Sequence, residues 1–147
     1  MDQSFPIAPA GAGPLVLLAV VGLVVLAVAA GVGRSVLASR TATFEIGPQS
    51  LTMRGDWWGR EIPRSALRTG DIRVVSLREE RDLQPTARTW GSGLPGYAGG
   101  WFRLRNGEKA LVYLTDWRRA VVVPTNLGYT VLLSPRDADG FAAALRR

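Results

Sequence analysis

The chain has 147 residues, and its 18 Lys or Arg against 12 Asp or Glu give a formal net charge of +6 at pH 7. This is the length of one domain, and it contains no cysteine and no histidine. Those two absences exclude disulfides, thiolate nucleophiles, zinc sites built from Cys or His, and a Ser–His–Asp relay.

An uncharged apolar run occupies residues 14–33, with the sequence PLVLLAVVGLVVLAVAAGVG. At about 1.5 Å per residue, a helix of this length spans about 30 Å, the thickness of a bilayer's hydrocarbon core. We therefore predict a transmembrane helix that places this part of the chain in the lipid bilayer. The alternative is a cleaved signal peptide, because Ala27-Val28-Ala29 imitates a cleavage site. Against it, the preceding residues carry Asp2 and no basic residue, whereas secretory signals are basic there.

The flanking charges predict the orientation of this helix. Arg34 and Arg40 follow the apolar run directly, and positive flanks stay on the cytoplasmic side. We expect a single-pass protein of the cytoplasmic (plasma) membrane. Residues 1–13 would be a short non-cytoplasmic tail, 34–40 a juxtamembrane linker, and 41–147 a domain in the cytoplasm.

Turn residues separate short alternating or β-branched runs between residues 41 and 133. Asn106-Gly107 between two alternating runs is a strong hairpin signal, and it predicts positive φ at both turn positions. We predict seven or eight antiparallel strands, which begin at residues 43, 51, 61, 72, 101, 110, 120 and 129.

A capped amphipathic helix is predicted at the end of the chain. Ser134 suits the N-cap, Pro135 the first helical position, and Asp137 lies three residues after the serine. Four apolar residues then recur at helical spacing on one face: Ala138, Phe141, Ala142 and Leu145. The fold class predicted is mainly β: a small barrel or orthogonal sandwich whose open end this helix covers.

Residues 89–100 contain five glycines and are predicted to form a shaped loop. A formal Gly-x-Gly-x-x-Gly match begins at Gly91, but a strand and a hairpin follow it instead of the helix that a dinucleotide site needs. The loop either packs over the mouth of the barrel or forms a recognition surface. The candidate partner-binding residues are Trp90, Leu94, Pro95, Tyr97 and Trp101.

Two tryptophans, an acidic cluster and four arginines are further candidates for a site. Trp57 and Trp58 are adjacent, so they cannot share one strand face, and one of them is expected to be exposed. The acidic cluster at residues 79–82 is interpreted as a solvated turn, and we predict no metal site and no cofactor. The candidate residues for binding an anionic surface are Arg103, Arg105, Arg118 and Arg119.

Several motifs resemble the bacterial PH-domain (pleckstrin-homology-like) family. They are GLPGY at 93–97, GWF at 100–102 and NGEKALVYLTD at 106–116, continued by VVPT at 122–125 and the segment up to Phe141. The resemblance implies a PH-like barrel or sandwich of about seven strands with a C-terminal helix, in a membrane-anchored member of the family. The family pattern carries no catalytic residues.

These observations lead to an expectation of function. We expect a non-enzymatic, membrane-tethered binding or scaffold module that recognises a membrane or membrane-associated protein, or itself, and no nucleic acid. The alternative is recognition of anionic lipid head groups through the arginine-rich surface.

Overall fold

The computed structural model describes residues 11–55 and 57–147, apart from the side chains of residues 38, 39, 92 and 94. The chain divides into two compact units, Met1–Arg34 and Ser35–Arg147. Helix α1, Gly13–Thr41, has 29 residues, and its segment Gly13–Leu37 is long and apolar enough to cross a membrane. The predicted span at residues 14–33 lies within this segment. Residues 34–40, predicted as a linker, are helical, because they contain no glycine or proline to end the helix.

The rest of the described chain is mostly β-structure in two sheets. Strands β1, β2 and β3 form a three-stranded sheet in that order, and the larger sheet has the order β4-β8-β9-β7-β6-β5. The nine strands are β1 Thr43–Ile46, β2 Ser50–Arg54, β3 Arg60–Pro63, β4 Arg73–Val75, β5 Pro85–Leu94, β6 Tyr97–Leu104, β7 Lys109–Leu114, β8 Ala120–Pro124 and β9 Thr130–Leu133. The mainly β architecture is confirmed, with about nine strands instead of seven or eight.

The prediction that every pair is antiparallel is wrong for one pair of strands. β7 and β9 run parallel, with Ala110 opposite Thr130 and Tyr113 opposite Leu133. The intervening β8 pairs antiparallel with β9 on its other side. The chain therefore leaves β7, forms β8 two positions away, and returns to fill the gap between them. Nothing in the local alternation of a strand specifies which neighbour it takes.

Both faces of the central strands are buried, which explains their continuous apolar sequences. On β7, Leu111 and Tyr113 belong to one core cluster, while Ala110, Val112 and Leu114 belong to a second. The first cluster also contains residues of the small sheet and of helix α2, Ala138–Arg146. The second contains residues of β4, β6 and the segment after β4. The larger sheet thus separates two apolar layers.

The glycine-rich residues 89–100 do not form a loop. They belong to β5 and β6, which pair antiparallel around a turn at Pro95 and Gly96. Gly91 and Gly100 are opposite each other in this hairpin, and an added Cβ on Gly91 would lie 2.4 Å from the Gly99 carbonyl oxygen. The glycines therefore permit close contact between two strands, and their number does not indicate an irregular segment.

The predicted hairpin at Asn106-Gly107 is confirmed, but the turn differs from the predicted one. The Gly107 N–H donates to the Leu104 carbonyl (2.9 Å), and the Leu104 N–H donates to the Glu108 carbonyl (2.8 Å). Gly107 has φ of 89°, whereas no non-glycine residue in the described ranges has positive φ. This is a three-residue loop that ends in a left-handed glycine, so Asn106 does not need positive φ.

Helix α2 begins later than predicted. Its N-cap is Asp137, whose Oδ1 accepts from the Gly140 N–H at 2.9 Å. The prediction of Ser134 as N-cap is wrong, because its hydroxyl is used elsewhere: it donates to the Asp116 carbonyl (3.0 Å) and accepts from the Asp116 N–H (3.2 Å). Leu145 is fully buried and Phe141 packs partly buried against the first core cluster, as the sequence predicted.

We expect Asp137→Ala to lower the free energy of unfolding by about 1 kcal/mol, because the first turn of α2 loses its cap. Asp137→Asn keeps an acceptor oxygen at the same position and should remain within a few tenths of a kcal/mol of the original protein. Urea unfolding of the full-length chain in detergent, followed by tryptophan fluorescence, measures both variants. Equal losses in the two variants would contradict the assignment of this cap.

Gly100→Ala should destabilise the β5–β6 hairpin by about 1–3 kcal/mol or more through steric overlap. Gly100 has φ of +117°, and its added Cβ would lie 2.5 Å from the Gly91 Cα. Gly70→Ala is the matched control, since its Cβ would meet nothing within 4 Å. The same unfolding measurement applies, and a Gly100→Ala variant as stable as Gly70→Ala would show that the strands do not approach this closely.

Candidate functional site

Trp101 is half-buried on β6 and has basic side chains near its ring. The Arg60 Cζ lies 5.0 Å and the Lys109 Nζ 4.4 Å from the ring centroid, both within cation–π range. The Tyr129 ring meets it edge-on, with centroids 4.9 Å apart and planes at 83°. Arg60 begins β3, Lys109 begins β7 and Tyr129 directly precedes β9, so both sheets contribute to this environment.

Trp90 is the large exposed aromatic residue beside this environment. It lies on β5 opposite Trp101, with 70% of its surface exposed. The Trp90 ring contacts the Trp58 ring edge to face, with centroids 6.4 Å apart and an interplanar angle of 80°. A cavity of about 400 Å³ lies here, lined by Thr89, Trp90, Trp101, Phe102, Arg103 and Lys109.

The charge at this cavity is uncompensated. Within residues 11–55 and 57–147, neither Arg60, Arg103 nor Lys109 forms an ion pair with a carboxylate. The Arg103 Nη1 instead donates to the Gly107 carbonyl at 2.7 Å. Local positive potential of this kind attracts carboxylates and phosphates. We call Arg60, Trp90, Trp101, Arg103 and Lys109 the aromatic–basic surface.

A larger cavity of about 530 Å³ includes Arg68, Asp71 and Arg73 in its lining. Its basic side chains are already neutralised. Arg68 pairs with Asp71, and Arg73 pairs with Glu80. It therefore offers less attraction for an anionic ligand than the aromatic–basic surface does.

The structure brings together only part of the predicted partner-binding set. Trp90 and Trp101 are opposite each other, and Pro95 is exposed at the β5–β6 turn. Tyr97 is only 6% exposed, and its ring covers Gly99, where an added Cβ would lie 2.2 Å from the hydroxyl oxygen. Tyr97 therefore contributes to packing and presents little surface. The side chain of Leu94 lies outside the described residues.

The four arginines predicted to bind an anionic surface do not form one patch. Arg103 is opposite Lys109 at the start of β7. Arg105 lies in the turn between β6 and β7, and its Nη2 is 3.4 Å from the Gln84 Oε1. Arg118 and Arg119 follow the other end of β7, which is about 17 Å away at about 3.3 Å per residue. Arg119 is also ion-paired with Asp139.

Sequence reasoning missed Arg60 and Lys109. Lys109 is the single lysine of the chain and directly follows the hairpin turn, so the register of the hairpin places it beside Arg103. The sequence therefore contained the information needed to place Lys109. It contained no such information for Arg60, because Arg60 reaches Trp101 from the other sheet. Among the described residues, no group of three or more acidic side chains could hold a metal ion.

Comparison with known proteins gives one positive finding. The family model described as Bacterial PH domain matches residues 43–147, which run from the first residue of β1 to Arg147 and make up more than half of the chain. No curated protein and no solved structure matches the chain.

Proposed function

Because the chain belongs to the bacterial PH domain family, we propose that it is a membrane-tethered binding module that recognises a protein partner at the cytoplasmic face of the membrane. PH domains are generally non-catalytic binding modules. The α1 helix provides the candidate membrane anchor. The aromatic–basic surface is the proposed contact region of the domain.

The observation that carries this proposal is the exposure of Trp90 beside Trp101, with Arg103 and Lys109 in the lining of the same cavity and Arg60 against the Trp101 ring. Tryptophan and arginine are the residues that most often dominate the energetics of protein interfaces. An aromatic residue can bury about 150–250 Å² in a contact, and most of the Trp90 surface is still exposed to solvent. Its contact with Trp58 limits the positions of the ring, so less conformational entropy is lost on binding.

The charge of the domain supports an acidic partner. All 18 basic residues lie at or after residue 34, together with 11 of the 12 acidic residues, since only Asp2 precedes them. This part of the chain therefore carries about +7. Charge complementarity of this kind accelerates association and selects against basic partners.

Recognition of anionic lipid head groups is the second candidate, and Arg60, Arg103 and Lys109 favour it, because none of them forms an ion pair with a carboxylate that the structure describes. Basic residues near an anionic membrane contribute about 1 kcal/mol each. Salt separates the two candidates, because head-group attraction is screened at high ionic strength, whereas a contact centred on Trp90 retains its apolar part.

We expect Trp90→Ala to weaken partner binding about 30-fold or more, which corresponds to the roughly 2 kcal/mol of a dominant interface residue. A photo-crosslinking amino acid at Thr89, which lines the cavity, reports binding in native membranes as the yield of protein adduct. Trp57→Ala is the control, since Trp57 is equally exposed at 69% but lies before β3.

Two results would contradict a protein-binding role for this surface. One is an undiminished yield of the protein adduct in Trp90→Ala, and the other is an equal loss of the adduct in Trp90→Ala and Trp57→Ala. The same crosslinking at about 0.5 M salt tests the lipid alternative, because charges are then screened beyond about 4 Å. Retention of the protein adduct at that salt supports the proposal. Replacement of the protein adduct by salt-sensitive lipid adducts at Thr89 would support the head-group candidate instead.

The proposed orientation has its own test, for which the cysteine-free sequence is convenient. Gly11→Cys, before the apolar helix, should react with a membrane-impermeant maleimide in intact spheroplasts, because residues 1–13 are proposed to lie outside. Asn126→Cys, exposed in the β8–β9 turn, should react only after permeabilisation. The reverse labelling pattern would place the domain on the outer side of the membrane.

A further inference from the structure

The outer edge of the larger sheet is long and uncovered by any other described strand. β5 has ten residues, and among the described strands it pairs only with β6. Proteins usually protect such edges with short strands, charges, proline or bulges. Here Pro85 begins the strand, and the pairing is irregular at 85/87 and at 88/90. From Trp90 to Leu94 the pairing is regular, and no residue is charged.

The backbone groups that face outward in this regular part belong to two glycines. The β5–β6 turn has two residues, Pro95 and Gly96, so Leu94 and Tyr97 form the hydrogen-bonded pair that closes it. Pairs alternate along an antiparallel ladder. Gly91 and Gly93 are therefore in non-hydrogen-bonded pairs, and their N–H and C=O groups point away from β6, with no side chain to obstruct an approaching strand.

The side chains beside this edge differ between its two faces. Trp90 lies on one face, opposite Trp101. Arg88 lies on the other, where its Nη1 is 3.8 Å from the position of a Cβ on Gly93. Arg88 is exposed and has no carboxylate partner among the residues that the structure describes. Because side chains of an added strand alternate between faces, one face favours an apolar residue and the other an acidic one.

We propose that an extended segment of the partner protein, with alternating acidic and apolar residues, adds to the sheet as a strand along Gly91–Gly93 of β5. This rests on the proposed function and names the mode of binding and the chemistry of the partner. Main-chain hydrogen bonds would supply affinity, and Trp90 and Arg88 would supply specificity. A second copy of this chain is a poorer occupant than an acidic segment, since it would bring a second domain of the same net positive charge to the edge.

The test uses the full-length chain in nanodiscs of neutral phosphatidylcholine, with a fluorescent decapeptide of alternating Glu and Val as probe and fluorescence anisotropy as readout. The probe should bind, and its counterpart with Lys in place of Glu should bind at least tenfold more weakly. Arg88→Gln should weaken the Glu-Val probe about threefold or more. Equal binding of the two peptides would overturn the acidic specificity.

The decisive variants are at Gly93. Gly93→Pro removes the outward N–H while proline remains compatible with an edge strand, so affinity for the probe should fall at least tenfold. Gly93→Ala keeps the N–H, and its Cβ would contact only the Arg88 guanidinium at 3.8 Å; its affinity should stay within about twofold. Unchanged binding by a folded Gly93→Pro variant would overturn strand addition.

A second measurement decides the case if Gly93→Pro does not fold. Methylation of every backbone nitrogen in the probe blocks both of its hydrogen-bonding edges without altering the protein, and it should abolish binding. Amide exchange at Gly91 and Gly93 should slow at least tenfold when the unmodified probe binds. Full binding by the methylated probe, or unchanged exchange at both glycines, would overturn the proposal.

The two proposals can fail separately. Loss of the Thr89 adduct with Trp90→Ala, together with unchanged probe binding by Gly93→Pro, would retain the proposed function and overturn strand addition. Insensitivity to both variants would overturn both. The third outcome is that the probe does not bind, that the chain is a dimer by subunit counting, and that Gly93→Pro makes it a monomer. This outcome would show that the edge pairs with a second copy, and it would overturn the proposed occupant.

Discussion

Four residues of β7, from Ala110 to Tyr113, pair in parallel with Thr130–Leu133 of β9, and this places β9 between β7 and β8. The arrangement buries both faces of the three central strands, so the two apolar layers share one sheet. Parallel neighbours cannot be joined by a tight turn; here the connection runs through β8. Just beyond the C-terminal ends of β7 and β9, Asp116 and Ser134 are joined by two hydrogen bonds.

The candidate site depends on the same central strands. β7 fixes the register of β6, and β6 fixes that of β5, so Trp90, Trp101 and Lys109 occupy neighbouring positions on one face of the sheet. The small sheet then brings Arg60 against Trp101 from across the first core layer. A cation within about 6 Å of a ring centroid is attracted by the ring, and Arg60 and Lys109 both lie within that distance of Trp101. The positions of the strands therefore determine which basic side chains surround this ring.

Sequence reasoning succeeded where the determinants are local. The apolar helix, the continuous apolar central strands, the hairpin at Asn106-Gly107 and the buried face of α2 all follow from short-range patterns. It failed where a residue's role depends on contacts across the fold. The glycines of β5 permit contact with β6, and Ser134 binds Asp116 instead of capping α2. Tyr97 is buried by its position in the hairpin, which composition does not reveal.

The regular part of the β5 edge is only five residues long, from Trp90 to Leu94, or about 17 Å at about 3.3 Å per residue. Its two outward glycines offer two N–H and two C=O groups, and hydrogen bonds contribute about 0.5–1.5 kcal/mol each. A strand bound there by the backbone alone would dissociate quickly. Such an edge suits exchange between competing segments, and its occupancy would follow local concentration, which confinement of both proteins to one membrane would raise far above the bulk value.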